Sequence, residues 1–348
     1  MANNNIETLL EKAMDVQSGR DAIEKAAAFL REGKLVIFPT ETVYGLGANA
    51  LNPAAVAGIF MAKMRPADNP LILHVTSVDD IPPLVSHFPE SAKKLAEAFW
   101  PGPLTLIFKK SEIVPAIISP GLNTVSIRIP SHPVAREIIK LSGVPVAAPS
   151  ANLSGSPSPT NAAHCKDDML GRVDMIVDGG SCDVGLESTV LSLACDPPRL
   201  LRPGAVTVSQ IEKIIGKIEV DSAVTHKMDS DTAPASPGMK YKHYSPKAKV
   251  ILVHAKSGEF IAFAKKRNEP NISFLAFDED LPFLDNRAVS YGSVHIPETQ
   301  SRNLFAALRE IDSLGADTVY ARVSGMENLG LAIYNRLIRA AGFDEIYL

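Results

Sequence analysis

The stretch "NTVSIRIP" (residues 123–130) sorts its side chains by parity. In an extended chain Thr124, Ser126 and Arg128 fall on one face and Val125, Ile127 and Ile129 on the other, because successive side chains of a strand point to opposite sides. The apolar set needs a core. The polar set makes a floor of hydroxyls around a guanidinium, which fits a solvated surface strand and equally fits the gripping of a carboxylate or phosphate by paired hydrogen bonds. Everything else in the chain is read outward from this strand.

Upstream, "AIEKAAAFLREGK" (22–34) reads as a helix stopped by Gly33, "LVIFPT" (35–40) as a buried strand, and "PAAVAGIFMAKMR" (53–65) as a helix opened by Pro53. "LILHV" (71–75) and "LTLIFK" (104–109) are strands around a helix near 90–99, and "VPVAAP" (144–149) follows a helix near 133–141. "MIVDGG" (175–180), "STVLSL" (188–193) and "RLLRPG" (199–204) continue the series. Strands outnumber helices, so the expected class is α/β, a twisted mixed sheet with helices packed on it rather than a regular doubly wound domain. Residues 221–235 lose periodicity and turn polar, as an exposed connector does. Beyond them "KVILVHA" (249–255), "ISFLAF" (272–277), "AVSYGSVHI" (288–296) and "DTVYARV" (317–323) alternate with helical segments near 258–267, 299–314 and 327–341. That alternation predicts a smaller parallel-sheet domain, whose last helix repeats Leu329, Ile333 and Leu337 and stops at Gly342. The expected division is 15–206, a linker at 207–246, and 247–348.

Composition narrows the class. With 348 residues and 46% hydrophobic side chains the chain is long enough for two cores, and it has no run of about 18 apolar residues able to span a bilayer. The N-terminus lacks the basic and apolar regions of a secretory signal, so the cytoplasm is the expected compartment. Cys165, Cys182 and Cys195 are odd in number and widely spaced, which argues against a disulfide framework or a structural zinc site. The net charge of −4 gives no global attraction to nucleic acid. Any polyanion site must be local.

The common signatures of phosphate loops, dinucleotide folds, zinc proteases and nucleophile elbows are all missing. Four stretches offer other material for a phosphate cradle. In "KMRPADNPLILHV" (63–75) Lys63 and Arg65 end a helix, where cations complement the dipole; Pro66 and the Asp68-Asn69 turn hold them near the next strand, on which Ile72 and His74 share a face. A lone strand histidine reads as structural more readily than as functional. "VPVAAPSANLSGSPSPT" (144–160) runs from a strand into an uncharged loop carrying Ser150, Asn152 and Ser158, which reads either as a flexible connection or as a pocket lined by hydroxyls and backbone N–H groups. "PTETVYGLGAN" (39–49) places Thr40, Thr42 and Tyr44 before an expected Gly45-Leu46-Gly47 turn. The 123–130 strand is the fourth.

Taken in order, "PTETVYGLGANA", "KMRPADNPLILHV", "WPGPLTLIF", "VSIRIPSHP", "PVAAPSANLSGSPSPT", "GLESTVLSL" and "LRPGAVT" resemble the YrdC-type domain of L-threonylcarbamoyladenylate synthases over residues 20–206. "SPGMKYKHYSPKA" (236–248) looks like the linker of the two-domain members, whose second domain is a small Rossmann-like unit. The resemblance implies synthesis of threonylcarbamoyl-AMP and pyrophosphate from L-threonine, bicarbonate and ATP, with Mg²⁺ accompanying the nucleotide. The product would feed a transferase complex that modifies the adenosine beside a tRNA anticodon, with a possible tRNA contact. It further implies that Thr42, His74, Arg128 and Ser188 hold threonine, while Lys63, Arg65, Asn69, Thr124, Ser150, Asn152, Ser158, Arg202, His243 and Tyr244 hold ATP, with Lys63 and Arg65 acting electrostatically and no covalent nucleophile. No resident metal is expected. Residues 236–246 are read as a lid in which Lys240, Lys242 and His243 face phosphate and Tyr241 and Tyr244 pack. Two other readings stay open: an RNA-binding module with a concave cationic surface, and a relative that adenylates carbamate within a larger maturation protein, against which the absence of zinc-finger-like cysteine pairs speaks.

Overall fold

A computed structural model describes residues 6–227, 244–267, 269–323 and 325–348. Its N-terminal part contains strands β1 (Leu9–Lys12), β2 (Val36–Phe38), β3 (Gly45–Asn49), β4 (Ile72–His74), β5 (Leu104–Lys109), β6 (Thr124–Arg128), β7 (Val146–Ala147), β8 (Met175–Asp178), β9 (Thr189–Ser192), β10 (Arg199–Arg202) and β11 (Glu219–Val220). They hydrogen-bond in the order β1-β8-β2-β3-β7-β4-β6-β5-β9-β10-β11. Parallel pairs such as β4 with β6 sit beside antiparallel ones such as β5 with β6, so the sheet is mixed, as the excess of strands over helices implies.

Helices α1 (Arg20–Arg31), α2 (Pro53–Lys63), α3 (Glu90–Phe99), α4 (Pro133–Ser142), α5 (Ala162–Met169) and α6 (Val208–Ile215) cover it. The amphipathic α1 buries Ile23, Ala26, Ala27 and Leu30, the spacing of one helix face. Asn52 caps α2 by accepting from the Ala54 and Ala55 amides, Pro53 fills the first turn, and Met64 ends the helix in the left-handed region at φ 52°.

The C-terminal part is a wholly parallel sheet of β12 (Lys249–His254), β13 (Ile272–Ala276), β14 (Ala288–Ser290), β15 (Thr318–Arg322) and β16 (Glu345–Tyr347), ordered β14-β13-β15-β12-β16. It carries α7 (Ser257–Lys265), α8 (Pro297–Ser313) and α9 (Leu329–Ala341). Gly342 takes the helix-stopping conformation at φ 63°.

Two segments differ from the sequence expectation. The Gly45-Leu46-Gly47 stretch is a central strand rather than a turn. Its glycines serve close packing, since a Cβ on Gly47 would lie 2.6 Å from the Phe38 ring and 2.9 Å from Val146. The expected linker is largely folded where it is described: α6 buries Ile211, β11 extends the N-terminal sheet beside β10, and Ala223 and Val224 are buried. These residues find apolar partners only in the tertiary structure, so their short local pattern hides them.

Candidate active site

The polar face of β6 is turned inward. Val125, Ile127 and Ile129 enter the main hydrophobic core, as parity requires, while Ser126 and Arg128 are buried on the opposite side. Parallel pairing sets His74 of β4 directly beside Arg128 and Ile72 beside Ser126. Ile72, His74 and Arg128 therefore form one wall of a cleft that opens to solvent.

The other walls come from three loops. Thr40, Thr42 and Val43 enter from the end of β2, Ser150 and Asn152 from the loop after β7, and Glu187, Ser188 and Arg202 from the approaches to β9 and β10. Arg65 reaches the cleft from just beyond α2 and Tyr244 from the end of the connecting segment. Of the residues picked out in the sequence, Thr42, Arg65, His74, Arg128, Ser150, Asn152, Ser188, Arg202 and Tyr244 thus line one cavity.

The remaining candidates sit elsewhere. Lys63 faces inward rather than into the cleft: its buried Nζ donates to the Ser150 carbonyl at 2.5 Å and the Asn152 carbonyl at 2.6 Å, pinning the 150–156 loop from below. Burial, followed by the Arg65 charge, pushes its pKa well below the ordinary lysine value. Lys63 and Arg65 are not two equivalent cations at a solvated helix end, because two residues turn a helix by about 200° and Met64 breaks it between them. Ser158 is fully buried behind the wall and donates to Glu187 Oε1 at 2.5 Å. Asn69 is buried, and neither atom of its side-chain amide finds a hydrogen-bond partner among the described residues. Thr124, four residues from Arg128, stands about 13 Å along β6, within reach of an extended nucleotide but not of a small molecule held at Arg128. His243, with Lys240, Tyr241 and Lys242, lies outside the described residues.

Two buried arginines at the cleft carry acid partners, Arg128 with Glu41 and Arg336 with Glu187. Arg128 NH2 lies 2.7 Å from Glu41 Oε1, its NH1 donates to Thr42 Oγ1 at 2.9 Å and its Nε to the Gly102 carbonyl. Burial raises the Glu41 pKa, but the Arg128 charge and hydrogen bond outweigh it and hold the carboxyl below its usual value. His74 is driven down to about 3 by burial and then by the Arg128 charge, so its imidazole is neutral near pH 7. Arg202 donates to the Ser188 carbonyl and Oγ at 3.0 and 3.2 Å, and Ser188 Oγ also meets Thr105 Oγ1 at 2.7 Å. Glu187 receives Arg336 Nε of α9 at 2.8 Å.

Glu41, Glu187 and Arg336 were not singled out in the sequence. A lone acid within "PTETVYG" or "GLEST" carries no periodicity that betrays a partner, and Arg336 reads as one more charge on a helix. The cavity has an oriented guanidinium suited to a small carboxylate at Arg128 and two more, Arg65 and Arg202, beside hydroxyls and loop amides suited to phosphates. Cys165 and Cys182 are buried with thiol pKa values pushed up by burial, so neither is an activated nucleophile.

The whole chain has known relatives. The Sua5/YciO/YrdC family model, described as "Telomere recombination", matches residues 28–204, and the model "Threonylcarbamoyl-AMP synthase, C-terminal domain" matches residues 206–342. A threonylcarbamoyl-AMP synthase of Pyrococcus abyssi is 49% identical over 93% of this chain and 95% of its own length. One from Bacillus subtilis is 45% identical over 92% of this chain and 93% of its own. The crystal structure of P. abyssi Sua5 complexed with L-threonine superposes with a TM-score of 0.89 at 45% identity, covering 98% of this chain and 99% of that one. The mixed sheet with its buried cationic cleft, joined to a small parallel-sheet unit, therefore belongs to the Sua5/YciO/YrdC family in its two-domain form.

Proposed function

We propose that this cleft joins L-threonine, bicarbonate and ATP into threonylcarbamoyl-AMP and pyrophosphate. The observation that carries the reading is the convergence of Arg65, Arg128 and Arg202 with Thr42, Ser150 and Ser188 in one cavity, in a chain nearly half identical to a threonylcarbamoyl-AMP synthase along almost all its length. The threonine amine attacks the carbon of bicarbonate and water leaves, giving a carbamate. A carbamate oxygen then attacks the α-phosphorus of ATP and pyrophosphate departs. Neither step requires a bond to the protein, and the work is orientation of three substrates and neutralisation of phosphate charge.

Arg128 grips the threonine carboxylate, with Thr42, neutral His74 and Ser188 around it. Arg65, Ser150, Asn152 and Arg202 face the nucleotide, Asn69 and Thr124 extend its path, and Lys63 and Ser158 act from behind the wall. Mg²⁺ arrives with the triphosphate as part of that substrate, and the described residues hold no cluster of three or more His, Cys, Asp or Glu side chains arranged to cage a metal. Tyr244, on the cleft wall, closes the nucleotide side, excluding water from a readily hydrolysed product. The adenylate is consumed by a transferase that passes the threonylcarbamoyl group to tRNA. No described helix is long and apolar enough to cross a membrane.

An RNA-binding surface is not favoured, because Arg128 and Arg202 are buried in the cleft instead of displayed on an open face. The test is incubation of the pure chain with ATP, Mg²⁺, bicarbonate and labelled threonine. Labelled adenylate and pyrophosphate that require threonine and bicarbonate together support the reading. Pyrophosphate release indifferent to either one overturns it.

A further inference from the structure

We propose that Arg336, on the last helix of the C-terminal unit, is a positioning residue for the adenylation cleft of the N-terminal unit, holding Glu187 so that Ser188 and Arg202 stay aimed at substrate. Arg336 is fully buried. Its Nε donates to Glu187 Oε2 at 2.8 Å and its NH2 to the Glu187 carbonyl at 3.1 Å. Its NH1 donates to the Pro203 carbonyl at 2.9 Å. One guanidinium thus grips the residue before Ser188 and the residue after Arg202, and those two are themselves joined through the Arg202 bonds to Ser188.

The charge logic gives the clamp its consequence. Glu187 is a buried carboxylate on the cleft wall whose other side-chain oxygen takes a hydrogen bond from Ser158. It needs a cation, and Arg202, whose charge also acts on it, is the alternative to Arg336 that the cleft offers. While Arg336 satisfies Glu187, the Arg202 guanidinium remains on Ser188. Without Arg336, a buried unpaired carboxylate would recruit Arg202 and draw it off its place in the wall.

The surrounding seam is tight enough to transmit this. A Cβ on Gly185 would lie 2.4 Å from the Arg302 Cα of α8, Arg309 of α8 pairs with Asp168 at 2.7 Å, and Tyr244 stacks on Phe305 at 5.2 Å between ring centres. The C-terminal unit thereby takes part in a site lined by the N-terminal unit and Tyr244. It rests on the reading of the cleft as the adenylation site.

The experiment is steady-state pyrophosphate release by the full-length chain and its R336Q, E187Q, R336Q/E187Q and R309Q variants, with ATP and threonine varied separately. R309Q removes the ion pair to Asp168 and a hydrogen bond to the Pro157 carbonyl across the same seam, neither of them to Glu187. The expected result is a rise in KM for ATP and a loss in kcat/KM of about tenfold to a hundredfold for R336Q, as misplacement of a substrate-holding group produces. The double variant is expected to match E187Q within about twofold, since both changes act through one contact. R309Q is expected to keep both KM values. Should R336Q fail to fold, R336K retains the buried charge without the fork geometry and is expected to show the same rise in KM. Partial unfolding alone would lower apparent kcat at unchanged KM. An impaired E187Q beside an R336 variant of normal KM, or additive losses in the double variant, overturns the inference alone. An E187Q protein with wild-type kinetics likewise overturns the inference, whereas a wild-type protein without threonine- and bicarbonate-dependent pyrophosphate release overturns the reading of the cleft.

Discussion

Glu41 and Arg128 form a buried ion pair, Oε1 to NH2 at 2.7 Å, at the place where the cleft is proposed to receive a carboxylate. Arg128 is thereby held in one orientation by an acid behind it and by Thr42 beside it, so the fork presented to substrate is preorganised.

Removing the acid leaves a buried charge uncompensated. Glu41→Gln is expected to lower stability by about 3–5 kcal/mol, measured by urea unfolding at pH 7. The Glu41 pKa is depressed in the folded state from 4.5, so its contribution is fully present above the unfolded value and is lost as pH falls through the folded one. The gap between wild type and variant should therefore be flat at neutral pH and shrink below about pH 4.5. A gap that widens on acidification contradicts the assignment.

Arg128→Lys keeps charge and loses the planar fork. The KM for threonine is expected to rise about tenfold to a hundredfold while the KM for ATP changes little, in line with about 1.5–3 kcal/mol for a hydrogen bond to a charged group. Equal rises in both constants would place Arg128 on the nucleotide instead.

Lys63→Met fills similar volume without a donor and strands the Ser150 and Asn152 carbonyls. Each unsatisfied buried carbonyl costs roughly 1–3 kcal/mol. Faster hydrogen exchange at the Ser154 amide, which donates to the Lys63 carbonyl, together with a raised KM for ATP, is the expected signature. Unchanged exchange in the 150–156 loop would show that Lys63 does not pin it.

His74 titrates near 3 in the folded state against 6.5 for a free imidazole, so the unfolded chain binds the extra proton between those values. Stability should rise with pH across that window, and NMR of the His74 ring should show the neutral form down to pH 5. A protonated His74 at pH 5 would contradict its burial beside Arg128.

Gly47→Ala tests the reassigned strand. Its Cβ would meet the Phe38 ring at 2.6 Å, and overpacking of this kind costs about 1–3 kcal/mol, visible in the denaturant midpoint. Phe38→Leu in the same chain is expected to recover part of the loss.

The sequence by itself determined the local order of this protein. Parity in 123–130 gave Arg128 a side opposite the core, the caps around Pro53 and Gly342 bounded their helices, and β/α alternation after residue 248 specified a parallel sheet, because each of these is set by neighbours a few residues away. Only the tertiary structure decided which polar groups share charge. Lys63 turned inward beneath a loop 87 residues further on, and Glu187 met Arg336 at a separation of 149, since a buried ion needs a counter-ion in space and no periodicity along the chain records where that partner lies.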